Sequence, residues 1–359
     1  MLTRCLALTF TALAVASAAA QIQVPRYESS FVFGDAFINE GLSLAAMDLQ
    51  GGFDDRVALQ DYHHRMANWR QTLFVTDEDN GVALFDITDP TAVQRSGTFA
   101  ATAGYASRSD LVHGERLYVT ESAFPGGGVV AWKLRIQALT DPGVPGWGTT
   151  LNLGSFDDAY DGTIAAVGPR RVAVSTYNRI RIVDDSSTSS VRIEANPISL
   201  ATPAVGMVAN GNYLYLLRSR DMGSCVLEIW NVSVPGRPSR VKSKVINHNA
   251  YLNSLSLGQG PVAGSRYLFW GAPNGFDGEN LVVVDVSNPA APSAPFTQSL
   301  RNPGGWDVVA EDVDVIGNTA WISGFRPPYP PLFQYEMFLL KVDVTNPRDP
   351  GEPVFYAVP

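Results

Sequence analysis

Leu281-Val-Val-Val-Asp285-Val-Ser-Asn-Pro289 is an apolar run closed by Asp, a β-branched residue, Ser, Asn and Pro, and the phrase returns along the chain. Clean copies are Val82-Ala-Leu-Phe-Asp86-Ile-Thr-Asp-Pro90 and Phe338-Leu-Leu-Lys-Val-Asp343-Val-Thr-Asn-Pro347, and Val226-Leu-Glu-Ile-Trp-Asn231-Val-Ser-Val-Pro235 is a worn one. Two weaker copies align between them: Gly128-Val-Val-Ala-Trp-Lys133, with Thr140-Asp-Pro142 displaced downstream, and Ile180-Arg-Ile-Val-Asp184 followed by Ser. With the Asp column at 86, 133, 184, 231, 285 and 343, the steps by subtraction are 47, 51, 47, 54 and 58. Strand-rich units repeating about every 40 to 50 residues are the signature of a propeller.

Within each unit, alternation and turn residues predict four short strands. The apolar run is the third, continuous in character because a strand between neighbouring sheets is covered on both faces. Second strands are expected at 72–76, 116–120, 171–176, 213–217, 267–270 and 319–323. First strands are expected at 109–112, 163–167, 205–209, 253–257 and 311–315. In the first unit, 61–71 reads as an insertion. The Thr/Ser-Asp/Asn-Pro phrase ends the third strand, since Asp or Asn bonds its own local backbone and Pro removes a donor. Its Asp is therefore architectural, because one active site does not need a residue repeated in every unit. The expectation is an all-β β-propeller of about six four-stranded blades over 56–359. The segment 21–55 would supply a ring-closing strand or a partial seventh blade, since 30–33 and 42–48 look strand-like.

Composition agrees. Among 359 residues, 32 Gly and 24 Pro supply many turns while charged residues are only 17%. Residues 1–20 read as a secretory signal peptide: Arg4 makes a positive start, 6–15 is apolar, and Ala18-Ala-Ala20 precedes Gln21. That apolar stretch is shorter than the ~20 residues a membrane span needs. The expected location is secreted or periplasmic, in association with the cell surface at most, and no integral membrane segment is expected. Of the two cysteines only Cys225 follows the signal, which excludes an intrachain disulfide in the mature chain. A net charge of −9 without a basic stripe argues against nucleic acid.

At these third strands and their turns the sequence resembles the LVIVD repeat family, most closely over 281–289. The resemblance implies a β-propeller on exported or surface proteins of bacteria and archaea. It implies no catalytic residues.

In a four-stranded blade the second-to-third and fourth-to-first connections leave the same end. There the sequence places long, irregular loops, including 272–280 and the Pro-stiffened 325–335. Binding is expected at that end. Tyr105, Arg108, Tyr160, Arg218, Tyr251, Trp306, Arg326, Tyr329 and Tyr335 are the candidate contacts, because Tyr, Trp and Arg dominate recognition surfaces. The expected partner is a protein or a glycan, bound by a monomer without a cofactor. An enzyme is the alternative, a hydrolase, lyase or oxidoreductase with Asp157, Asp161 and Asp307 at the mouth of the channel. Asp77 and Asp79 in an acidic turn are weak candidates for Ca²⁺, lacking the spacing of an EF-hand loop. His63-His64 lacks metal-ligand spacing. Cys225 is expected to be a small buried apolar residue.

Overall fold

The computed structural model describes residues 66–357 except 78–79, 87, 89–93, 127–128, 141–143, 157–162, 187–190, 222, 249, 251–254, 273–280, 302–307 and 327–335. The segment 21–55 and the expected signal peptide lie outside the described residues. The chain divides into two compact units, 1–157 with 356–359, and 158–355.

The first unit holds two blades. Blade 1 is β1 (Met66–Trp69), β2 (Thr72–Asp77), β3 (Gly81–Asp86) and β4 (Gln94–Phe99). Blade 2 is β5 (Ala106–His113), β6 (Arg116–Gly126), β7 (Val129–Thr140) and β8 (Val144–Phe156). The second unit holds four, apart from residues 356–357 at the end of the last strand. Blade 3 is β9 (Ile164–Gly168), β10 (Arg171–Thr176), β11 (Arg179–Asp184) and β12 (Arg192–Ile193), with the short β13 (Ile198–Ser199) also on β11. Blade 4 is β14 (Ala204–Asn210), β15 (Tyr213–Asp221), β16 (Ser224–Asn231) and β17 (Ser239–Ile246). Blade 5 is β18 (Ser256–Gln259), β19 (Arg266–Gly271), β20 (Leu281–Asp285) and β21 (Phe296–Gln298). Blade 6 is β22 (Val309–Ile316), β23 (Thr319–Arg326), β24 (Glu336–Asp343) and β25 (Val354–Ala357). Every sheet is antiparallel in simple up-and-down order. This is the all-β fold class of a six-bladed β-propeller.

The third strands are buried as their composition requires: Leu281, Val282, Val283 and Val284 are all fully covered. In the second unit, neighbouring blades share apolar cores. Tyr267, Phe269 and Val283 of blade 5 meet Val313, Ile322 and Leu340 of blade 6. That approach is close enough to demand glycine, since a Cβ on Gly271 would come 2.4 Å from the Ala310 carbonyl oxygen.

The recurring phrase resolves into a two-part turn. Its Asp accepts from the residue two places on. Asp86 Oδ1 takes the Thr88 amide at 2.8 Å and its hydroxyl at 2.6 Å, and Asp343 Oδ1 takes those of Thr345 at 2.8 and 2.7 Å. Asp184, Asn231 and Asp285 do the same to the amides of Ser186, Ser233 and Ser287 at 3.0, 2.9 and 2.9 Å. These are Asx turns. The next residue is buried, and its amide bonds back to the turn between first and second strands: Val232 to Asn212, Val286 to Arg266, Val344 to Asn318. These hydrogen bonds explain a lowered pKa in the column. Asp86 and Asp343 sit below the usual carboxylate range because of the Thr88 and Thr345 bonds. For Asp285 burial pushes upward, and the bonds from Ser287 and Arg348 outweigh it.

Two expectations need correction. Residues 61–71 do not form an unpaired insertion throughout, because 66–69 is the first strand of blade 1, in register with 72–75. Its turn passes through Arg70 with φ 54°, a left-handed conformation usually given to Gly, which hid it from a search for Gly-marked turns. In blade 2 the column residue is not Lys133 but Ala138, which faces Arg116 as Asp343 faces Thr319. Leu139 is then the buried residue that follows, its amide bonding to Glu115 O at 2.9 Å, and Thr140-Asp-Pro142 is in place rather than displaced. The described first-to-second turns are tight except at 260–265, whereas the third-to-fourth connections of blades 5 and 6 are long. These two run from 286 to 295 and from 344 to 353, internally braced by the Asx bonds and by Ser293 and Gly351 amides returning to Asp285 O and Asp343 O.

Candidate functional site

The candidate site is the end of the sheets where second-to-third and fourth-to-first connections emerge. Much of it is not described: Asp79, Asp157, Tyr160, Asp161, Tyr251, Trp306, Asp307, Tyr329 and Tyr335 all lie outside the described residues. Asp77 ends β2 and Arg326 ends β23. Tyr105, Arg108 and Arg218 are placed with their side chains.

In the first unit, the connection 100–105 leaves blade 1 and enters β5. It is held from blade 2 by a buried ion pair, Glu121 with Arg135 at 2.8 Å. Glu121 Oε1 also accepts the Thr102 amide at 3.0 Å, and Arg135 Nη1 donates to Ala100 O at 2.6 Å while its guanidinium covers the Phe99 ring at 3.7 Å. Tyr105 is half-buried, with the Lys133 ammonium 3.7 Å over its ring. A cation on an aromatic face is worth roughly 0.5–2 kcal/mol. Arg108 is the extra residue of a β-bulge between Ser107 and Ser109, and donates through Nε to Ser122 Oγ at 2.8 Å. Bulges of this kind re-aim side chains next to sites.

In the second unit, Arg218 is 8% exposed, and its guanidinium donates to Glu228 Oε1 at 2.7 and 3.1 Å and to Thr202 Oγ1 at 2.8 Å. Thr202 in turn bonds to Ser219 O at 2.7 Å, and Trp230 Nε1 donates to Glu228 Oε2 at 2.9 Å. This fixes the connection 200–203 between blades 3 and 4.

The two clamps occupy the same register positions with opposite charge. Glu121 and Arg218 each stand five residues into the second strand, while Arg135 and Glu228 face the residues three into it, Val119 and Leu216. Blade 3 has Thr176 and Arg181 at the same two positions, Arg181 Nη1 donating to Thr176 Oγ1 at 3.0 Å. Burial, and then the neighbouring Arg179, lower the Arg181 pKa. Sequence reading passed over Glu121, Arg135 and Glu228. The available signal was a charge inside an otherwise apolar third strand.

Cys225, at the start of β16, is fully buried among apolar side chains, and burial pushes its thiol up to about 12. Among the described residues no group of three or more His, Cys, Asp or Glu is placed to hold a metal ion, and no helix is long and apolar enough to cross a membrane.

Geometry of this kind defines a propeller with individually braced loops, and comparison adds the repeat. The LVIVD repeat model matches residues 275–297, spanning β20 and its Asx turn. No curated protein matches the chain. Among solved structures, a glucose dehydrogenase aligns with 11% identity over 72% of this chain and 92% of its own, TM-score 0.50. A further glucose dehydrogenase aligns with 11% identity over 82% and 95%, TM-score 0.48, and U3-55K with 9% over 79% and 77%, TM-score 0.49. At such identity the likeness is one of fold alone.

Proposed function

We propose that this chain is an exported β-propeller that binds a protein or glycan partner through its loop end, as a monomer and without a cofactor. One observation supports the reading. At the opposite end of the sheets the connections repeat the same Asx and backbone bonds from blade to blade. At the loop end the connections 100–105 and 200–203 are each braced by side chains particular to their own blade, which is where a rigid scaffold carries a site. The aromatic residues Trp306, Tyr329 and Tyr335 fall in connections of that same end, and Pro327, Pro328, Pro330 and Pro331 lower the entropy of presenting them.

The test uses the mature chain, whose first residue after export should be Gln21 by N-terminal sequencing. It is applied to a glycan microarray and cross-linked to exported proteins of its own cell, with contacts mapped by mass spectrometry. Binding or cross-links at 273–280, 302–307 and 327–335 should vanish in Trp306→Ala with Tyr329→Ala while circular dichroism is unchanged. Contacts that survive both substitutions would refute the assignment to this end.

A further inference from the structure

The outer strand of blade 4 is unlike the other described outer strands of its unit. β17 runs eight residues, Ser239–Ile246, against two in β12, three in β21 and four in β25. It pairs with β16 on one side and, among the described residues, with no strand on the other. No Pro or Gly interrupts it, and one bulge, at Val241 between the Arg240–Trp230 and Lys242–Ile229 pairs, divides it. Its sequence, Ser-Arg-Val-Lys-Ser-Lys-Val-Ile, carries three cations and no anion in a chain of net charge −9. Val245 is 44% exposed.

The cations are only partly compensated. Lys242 makes no ion pair among the described residues. Lys244 donates its ammonium to the carbonyl oxygens of Pro292 and Ser293 in blade 5, neutral acceptors both. Burial, and then the charge of Lys242, hold the Lys244 pKa below its ordinary value, and the two lysines share one face of the sheet, opposite Ile229 and Leu227. Arg240 stands 3.8 Å from Glu228, already bonded to Arg218, and 6.0 Å from the Trp230 ring.

We propose that the open edge of β17 accepts an added strand from an acidic, extended peptide. The unpaired edge supplies main-chain hydrogen bonds, and specificity comes from alternate side chains of the guest. A carboxylate opposite Lys242 relieves the lysine repulsion, as opposite charges across a ladder stabilise it and like charges do not. A second copy of this chain is the wrong occupant, because two β17 strands side by side would oppose lysine to lysine. The same lysines thus guard the edge against self-pairing while admitting an acidic guest.

The probe is a synthetic peptide of alternating Glu and Val, about as long as β17. Controls are a Lys–Val peptide and a Glu–Pro peptide, the latter of equal charge but unable to form a ladder. With the mature chain, fluorescence anisotropy should show saturable binding of the Glu–Val peptide alone. Hydrogen exchange should slow within 239–246. Lys242→Glu with Lys244→Glu should weaken binding by about tenfold, and added salt should weaken it too. No saturable binding, equal binding of either control, or binding without slowed exchange in 239–246 overturns the proposal. The peptide controls need only the unaltered protein, so a variant that fails to fold does not shelter it.

Discussion

The two ends of these sheets are held by different chemistry. At the turn end the same bonds recur: an Asx turn, a buried residue after it, and an amide returning to the neighbouring hairpin turn. At the loop end the bracing is singular. Blade 2 uses Glu121 and Arg135, and blade 4 uses Arg218 and Glu228 with the charges exchanged. The contrast teaches that architecture is written as repetition, and that departures from repetition mark where each blade has its own task.

The largest expected effect tests the loop end. Arg218→Ala leaves Glu228 buried without its main partner and should cost about 3–5 kcal/mol in urea unfolding. Exchanging the pair, Arg218→Glu with Glu228→Arg, copies the polarity of blade 2 and should recover much of that loss. If the exchange is as damaging as the single change, the clamps are not equivalent. At the turn end, Val344→Ala and Leu139→Ala should each cost about 2 kcal/mol or more, since both anchor the same buried position. A small effect at Leu139 would separate blade 2 from the pattern.

Smaller again is the carboxylate. Asp285→Ala should cost about 1 kcal/mol, while Ala138→Asp should be stabilising by about half as much, measured the same way. The pH dependence follows in sign. Asp86, Asp184, Asp285 and Asp343 all have lowered folded values, so their contribution is complete above the ordinary value of 3.8 and lost as pH falls through the folded ones. Asp285→Asn with Asp343→Asn should flatten the loss of stability below about pH 4, on the acid side of the ordinary value. Least visible in stability is Cys225. With its thiol raised to about 12, it should resist a thiol reagent at pH 8 until the chain unfolds. Rapid labelling of the native chain would show the start of β16 to be open.

Blade construction was legible because it rests on local rules. Period, apolar third strands and the Asp-to-Pro turn each follow from residues close in sequence, and β10 lies where alternation placed it, at 171–176. Failures came where a local signal was replaced. Arg70 took a conformation expected of Gly, and Ala138 took the place of Asp, so the alignment slid to Lys133. The site was less legible still. Arg218 reads as a surface contact by residue type, but its guanidinium is spent on Glu228 and Thr202. No spacing rule joins those three.

By itself, then, the sequence determined the repeat, the fold class and which strand of each blade is buried, because side-chain alternation and turn chemistry act over a few residues. Tertiary structure alone decided which charges meet. Glu121 finds Arg135, and Arg218 finds Glu228, only once neighbouring strands are in register and water is excluded around them.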